Sequence, residues 1–271
     1  MNMKILHIGN TAGVGSIIAK YMDQLFGTES LVVQRRVSDP YGFTTHGELL
    51  DCGAKMFTLK CLLKARKFDV VHVHYFDKIV PFLKFLYPKK PVVLHYHGDD
   101  IRGKWNLKRK YWSKADFILY STLDLLDDET SKQAVYMPNP VDTAIFRSCP
   151  VKSKPKTAFH FSYNADDLAI EYARKYGLEL TIYDKQKHGA IPHLKLPEVL
   201  CRYEYYIDVK RNSYGELLKG PLSKTALEAL ACELKVITWN CKIMEGLPPE
   251  NHPEKVAKQI FNIYLKVTKV S

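Results

Sequence analysis

An alternation constrains this chain more than anything else in it. Short β-branched and aromatic runs recur, each followed by a stretch with apolar residues at helical spacing. Strands are expected at Lys4–Ile8, Leu31–Val33, Asp69–His74, Pro91–Tyr96, Phe117–Tyr120 and Ala134–Met137. A second series follows at Ala158–Phe161, Leu180–Tyr183, Tyr205–Val209 and Val236–Trp239. Helices are expected over Ser16–Leu25, Lys55–Lys67, Ile79–Leu86, Asp166–Tyr176, Leu196–Tyr203, Ser223–Glu233 and Pro253–Val267. Apolar strands alternating with amphipathic helices form parallel sheets covered on both faces. The pattern therefore predicts an α/β chain of two Rossmann-like, doubly wound parallel-sheet lobes facing a cleft. Cys149–Thr157 holds two prolines and no apolar period, so it is expected to be the linker. The lobes are then 1–150 and a compact 151–252, with 253–271 a closing helix.

Composition narrows the function classes. A chain of 271 residues, 46% hydrophobic, can bury a core without staples. Its 40 basic and 29 acidic side chains give a formal net charge of +11, spread as +6 over 1–150 and +5 over 151–271. A nucleic-acid arm would concentrate that charge in one block, so nucleic acid is not an expected partner. No run approaches the ~20 apolar residues of a membrane span, and MNMKILHIGN lacks the long apolar core of a secretory signal. A cytoplasmic location is expected. The six cysteines form no C-x-x-C pair and read as reduced thiols, with no zinc site. One basic stretch is laced with aromatics: Arg102, Lys104, Trp105, Lys108, Arg109, Lys110, Tyr111 and Trp112. With Lys55, Lys60, Lys64, Arg66 and Lys67 it suits peripheral contact with an anionic membrane surface, at the inner face. The same composition also fits a solvated helix face with its tryptophans packed inward.

Ligands of open α/β sheets sit beyond the carboxyl ends of the strands, and four junctions there are polar. Asn10–Gly15 carries Gly13 and Gly15, which permit close backbone approach before a helix start; a plain tight turn reads equally well. His95–Arg102 crowds two histidines, two aspartates and an arginine behind an apolar strand. Such crowding could suggest a metal, but no HExxH motif or second cluster supports one. Met137–Asp142 has its path set by two prolines. Leu222–Ala231 opens a helix at Ser223, and Glu228 sits among alanines and leucines, a partly buried carboxylate that needs donors such as sugar hydroxyls.

Taken in order, DVVHVHYFD (69–77), PVVLHYHGDDIRG (91–103), ADFILYSTLDLLD (115–127), YMPNPVDTAIF (136–146), LPEVLCRYEYYIDVK (196–210) and LSKTALEALACELKVI (222–237) resemble a glycosyltransferase of the GT-B fold, closest to family 4. The resemblance covers most of the chain. It implies transfer of a sugar from a nucleotide-sugar donor to a sugar or lipid-linked acceptor, in polysaccharide or lipid-linked glycan synthesis. It further implies retention of configuration, no metal and no cofactor beyond the co-substrate. The first lobe would meet the acceptor and the second the donor. Gly13 and Gly15 match the loop that approaches the donor phosphates. His97 and Asp100 match the family's HGxD segment near the transferred sugar, as catalytic residues. Glu228 matches the second of a glutamate pair that holds the ribose, with Ser223, Lys224 and Thr225 at the same helix start. Two departures stand out. The first glutamate falls at Gly220, with Glu216 four residues early, and an Arg/Lys pair is missing from Phe161–Asp166. Lys224, Lys210 and Arg211 become the expected cations for the diphosphate. A nucleotide-sugar epimerase and a non-catalytic nucleotide- or carbohydrate-binding relative are the alternatives.

Overall fold

The structure is a computed structural model that describes residues 2–126, 132–148, 153–212 and 214–270. The chain forms two compact units, Met1–Pro140 with Pro253–Ser271, and Val141–His252. The division falls ten residues before the expected boundary near 150.

The first unit is built on a seven-stranded sheet in the order β3-β2-β1-β4-β5-β6-β7. Its strands are β1 (Lys4–Ile8), β2 (Glu29–Arg35), β3 (Glu48–Leu50), β4 (Val70–His74), β5 (Val92–Tyr96), β6 (Phe117–Tyr120) and β7 (Val135–Tyr136), and every pair is parallel. Helices α1 (Val14–Phe26), α2 (Ala54–Ala65), α3 (Val80–Leu86) and α4 (Trp105–Trp112) connect them. Strand β3 was not expected, because three half-buried residues carry too little periodicity to register.

One sheet face packs Leu6, Val71, Val73, Leu94 and Ile118 with Phe57, Leu83 and the two indoles of α4. Trp105 and Trp112 are buried, and their Nε1–H groups donate to Leu125 O (2.8 Å) and Trp105 O (2.7 Å). Of the two readings of this stretch, the tryptophans follow the one in which they pack inward. A buried indole needs an acceptor, and these two find theirs inside the unit.

The other face packs Ile5, Val70, Val93 and Leu119 under α1 and the C-terminal helix α9 (Pro253–Val270). Helix α9 thus belongs to the first unit, although 112 residues of second unit precede it. Its apolar stripe (Val256, Ile260, Ile263, Tyr264 and Val267) is buried, and Phe261 stacks on Phe26 at 4.0 Å between ring centroids.

The second unit has a five-stranded sheet in the order β12-β11-β10-β8-β9. Strands β8 (Lys154–Phe161), β9 (Glu179–Tyr183), β10 (Tyr203–Ile207) and β11 (Lys235–Ile237) are parallel, while β12 (Ile243–Met244) is an antiparallel edge. The sheet is therefore mixed rather than wholly parallel. Helices α5 (Asp166–Tyr176), α6 (Lys185–His188), α7 (Leu196–Leu200) and α8 (Lys224–Ala231) complete the unit. Of the expected linker, 149–152 lie outside the described residues, and Lys154–Thr157 are already strand β8.

The cysteines also depart from expectation. Cys52, Cys61, Cys232 and Cys241 are free, but Cys201 is disulfide-bonded. A disulfide follows from spatial approach of two Cβ atoms, to which sequence spacing is blind. Among the described residues no helix is long and apolar enough to cross a membrane.

The anchoring of α9 can be measured. Ile260→Ala should lower stability by about 2–5 kcal/mol in denaturant unfolding, whereas Ile243→Ala, on the exposed edge strand, should change it by less than about 0.5 kcal/mol.

Candidate functional site

In the first unit the chemistry gathers at the carboxyl ends of β1, β4 and β5. The loop after β1 is held by Asn10, whose Oδ1 accepts from Ser16 N (3.0 Å) while Nδ2 donates to Ser16 Oγ (3.0 Å) and Thr44 Oγ1 (3.1 Å). Gly13 takes φ +79° at the helix start, a left-handed conformation that favours glycine. Gly15 is tightly packed: a Cβ would meet Gly9 O at 3.1 Å, Asn10 Oδ1 at 3.2 Å and His74 Nε2 at 3.3 Å. The two glycines thus serve loop geometry and the close packing of α1 on His74. Ala12 and Tyr75 also take positive φ, of 48° and 54°. Such strain in non-glycine residues collects at functional sites.

Five histidines line the same sheet face: His7 on β1, His72 and His74 on β4, and His95 on β5 with His97 just beyond it. Strand geometry explains this, because residues two apart share a face and V-H-V-H and H-Y-H repeat that period. Hydrogen bonds join four of the rings through Ser121. His7 Nδ1 lies 3.2 Å from His74 Nε2, and His74 Nδ1 lies 3.1 Å from His97 Nε2. His97 Nδ1 and His95 Nε2 each lie 2.9 Å from Ser121 Oγ. Both ring nitrogens of His97 are thereby occupied inside the unit. Burial holds its pKa down to about 4, against the opposing pull of Asp100, so the ring is neutral near pH 7. Burial likewise lowers His7 to about 3, and His72, His74 and His95 well below the usual histidine value.

Asp100 closes its own loop. Its carboxylate accepts from His97 N (3.0 Å) and Gly98 N (2.7 Å). Arg102 pairs with Asp99 and Asp124, and Lys108 with the buried Asp77 at 2.8 Å. Several charges of the expected cationic surface are therefore neutralised locally.

In the second unit Ser223 caps α8, its Oγ accepting from Ala226 N (3.1 Å), and its own N–H donates to Asp208 Oδ2 (2.8 Å). Two donors of that helix start are thus already in use. Thr225 is half-buried in the first turn. Glu228 is buried, as expected, with Oε1 2.8 Å from His193 Nε2 and 3.4 Å from Lys224 Nζ. Burial lowers the Lys224 pKa, while Glu228 and Asp142 raise it. The fold thus brings Glu228 and Lys224 together and adds His193, 35 positions away, which no local pattern announces.

Arg211 is committed elsewhere. It forks onto the Asp167 carboxylate on α5, at 2.5 and 2.8 Å, and holds that carboxyl down at about 2. Lys210 is half-buried beside it, its carbonyl accepting from Leu218 N at 2.9 Å. A different cation reaches the end of β8, where the sequence lacks the Arg/Lys pair. Lys185 Nζ lies 3.1 Å from Tyr163 OH and 4.5 Å from the Phe161 ring centroid. The register explains it: Phe161 pairs with Tyr183, so the residues two beyond each are neighbours.

The buried imidazoles make a pH dependence. Below about pH 6.5 the unfolded chain protonates these histidines and the folded chain does not, so stability falls as pH falls. Each such ring contributes about 1.4 kcal/mol per pH unit. Denaturant unfolding should therefore show a loss of at least about 2 kcal/mol between about pH 6.5 and 5. A flat profile over that range would contradict the buried, neutral assignment.

Comparison with known proteins agrees with this architecture. Residues 18–127 match the family model described as Glycosyltransferase Family 4. No curated protein matches the sequence. AviGT4, a glycosyltransferase involved in avilamycin A biosynthesis, is similar in structure at TM-score 0.57 and 12% identity, over 99% of this chain and 99% of that one. MnaA of S. aureus, solved with UDP, is similar at TM-score 0.53 and 15% identity, over 99% of this chain and 91% of that one. The chain has the two Rossmann-like units of the GT-B glycosyltransferases, and its first unit resembles Glycosyltransferase Family 4 over residues 18–127.

Proposed function

We propose that this chain is a glycosyltransferase that moves a sugar from a nucleotide-sugar to an acceptor hydroxyl. The observation that carries the reading is the buried Glu228–His193–Lys224 group at the start of α8. A carboxylate held there by two donors is pre-positioned to accept from ribose hydroxyls. The family match in the first unit and the fold shared with AviGT4 support the same reading.

In this reaction the bond from the anomeric carbon to the diphosphate oxygen breaks, and its electron pair leaves with the diphosphate. The acceptor oxygen forms the new bond on the face the diphosphate leaves, which retains configuration, and its proton passes to a departing phosphate oxygen. No metal is assigned a part. The protein must stabilise negative charge on the leaving group. Lys185, above the aromatic rings at the end of β8, and Lys224 are the cations assigned to it. Arg211, forked onto Asp167, is not. His97, neutral and fixed through both nitrogens, orients polar groups rather than donating a charge, and Asp100 holds the loop that carries it.

An acceptor at an anionic membrane surface completes the proposal. Leu59 and Leu63 on α2, Phe82 and Phe85 on α3 and Leu107 on α4 are exposed, Phe85 at 82% and Leu107 at 74%. Exposed Lys55, Lys60, Arg66, Lys67, Arg109 and Lys110 lie on or beside α2 and α4. Apolar side chains interleaved with cations complement an anionic lipid interface better than they do water.

Two measurements test these readings. In calorimetry Glu228→Gln should weaken nucleotide-sugar binding by at least about tenfold, the loss of a charged hydrogen-bond acceptor; unchanged affinity would sink the donor-site assignment. In vesicle sedimentation the chain should bind phosphatidylglycerol-containing vesicles at low salt. Phe82→Ser, Phe85→Ser and Leu107→Ser together should reduce that binding by about tenfold or more. Wild-type chain that stays in the supernatant would remove the membrane from the account.

A further inference from the structure

The covered face of the first unit holds a group that sugar transfer does not use. His7, His72 and His74 are wholly buried side by side. His7 and His72 are register partners, and His72 and His74 share a face of β4. One ring nitrogen from each lies within 4.8 Å of the other two.

Two nitrogens of this group, His7 Nε2 and His72 Nε2, are buried with no hydrogen-bond partner among the described residues. A buried polar atom left without a partner is costly, and two on adjacent rings ask for an occupant. His72 shows what kind. Its Nδ1 lies 2.6 Å from the buried Tyr264 OH on α9. Donation of the Nδ1 proton to that oxygen leaves a bare lone pair on Nε2. A histidine that ligates a metal through one nitrogen has its other N–H held in this way.

We propose that His7, His72 and His74 form a site for a divalent transition metal of the zinc class. Three imidazoles with no carboxylate suit zinc, copper or nickel and do not suit magnesium or calcium. Tyr264 is the positioning residue that sets the His72 tautomer, so the ion would tie β1 and β4 to α9. The second histidine triad, His74, His95 and His97, is the weaker candidate, because among the described residues it leaves one nitrogen without a partner, His95 Nδ1, where the first leaves two. The proposal is independent of the sugar-transfer reading, and either can fail alone.

The test uses the full chain without an affinity tag, purified from zinc-supplemented medium. Elemental analysis should find about one zinc per chain. Cobalt in its place should give the visible d–d bands of a low-coordinate nitrogen site. His72→Gln should lower metal affinity at least about tenfold and Tyr264→Phe by about 10–100-fold, with the circular dichroism spectrum retained. His188→Gln with His252→Gln, both on the surface, should leave binding unchanged. A chain that carries no stoichiometric metal and gives no cobalt bands overturns the site, and shows instead a hydrogen-bonded row of neutral imidazoles. Metal binding unchanged by both His72→Gln and Tyr264→Phe also overturns it. If His72→Gln fails to fold, Tyr264→Phe and the surface pair decide the question.

Discussion

A parallel sheet covered on both faces can keep polar side chains only near its strand ends, and the first unit follows from that constraint. On the α1 and α9 side the strands carry the apolar Ile5, Val70, Val93 and Leu119. Two residues on, the same face turns polar, with His7, His72, His95 and Ser121, and His74 and His97 extend it further. The apolar part anchors both helices. Four of the rings in the polar part bond to one another and to Ser121. That network fixes His97 and presses against Gly15, while His72, outside it, bonds to Tyr264 on α9.

The second unit meets the same constraint with a charge. Glu228 is buried on α8 and takes His193 and Lys224 as partners. Removing either partner would leave a buried charge short of compensation, which costs more than the intact group gains. Lys185 illustrates a different economy of position: parallel register, rather than a local motif, carries it to the end of β8.

Most elements were legible because their periodicity was unambiguous. Asp166–Tyr176, with acidic residues in its first turn and Gly177 after its last, lies where the pattern predicts. The short edge strands β3 and β12 were not legible, since two or three residues give no period to read. At the candidate sites the local parts were readable: Ser223 as a cap, Glu228 as a buried acid, and the His97–Asp100 loop. Their partners His74, Ser121, His193 and Lys185 were not, because each contact spans 22 to 35 positions. The period-two histidines in V-H-V-H and H-Y-H did carry a signal, since strand alternation alone puts them on one face.

By itself the sequence determined the α/β class, the two series of parallel strands and the residues that cap and close the ligand-side loops. These depend on propensities and spacings within about a dozen residues. Only the tertiary structure decided that α9 closes the first unit and that Trp105 and Trp112 turn inward. It also decided that Arg211 is spent on Asp167, and that three histidines from two strands share one buried pocket of nitrogen atoms. Those outcomes depend on which distant groups must share a buried interior, where a polar atom needs a partner and packing, not sequence proximity, decides which one it meets.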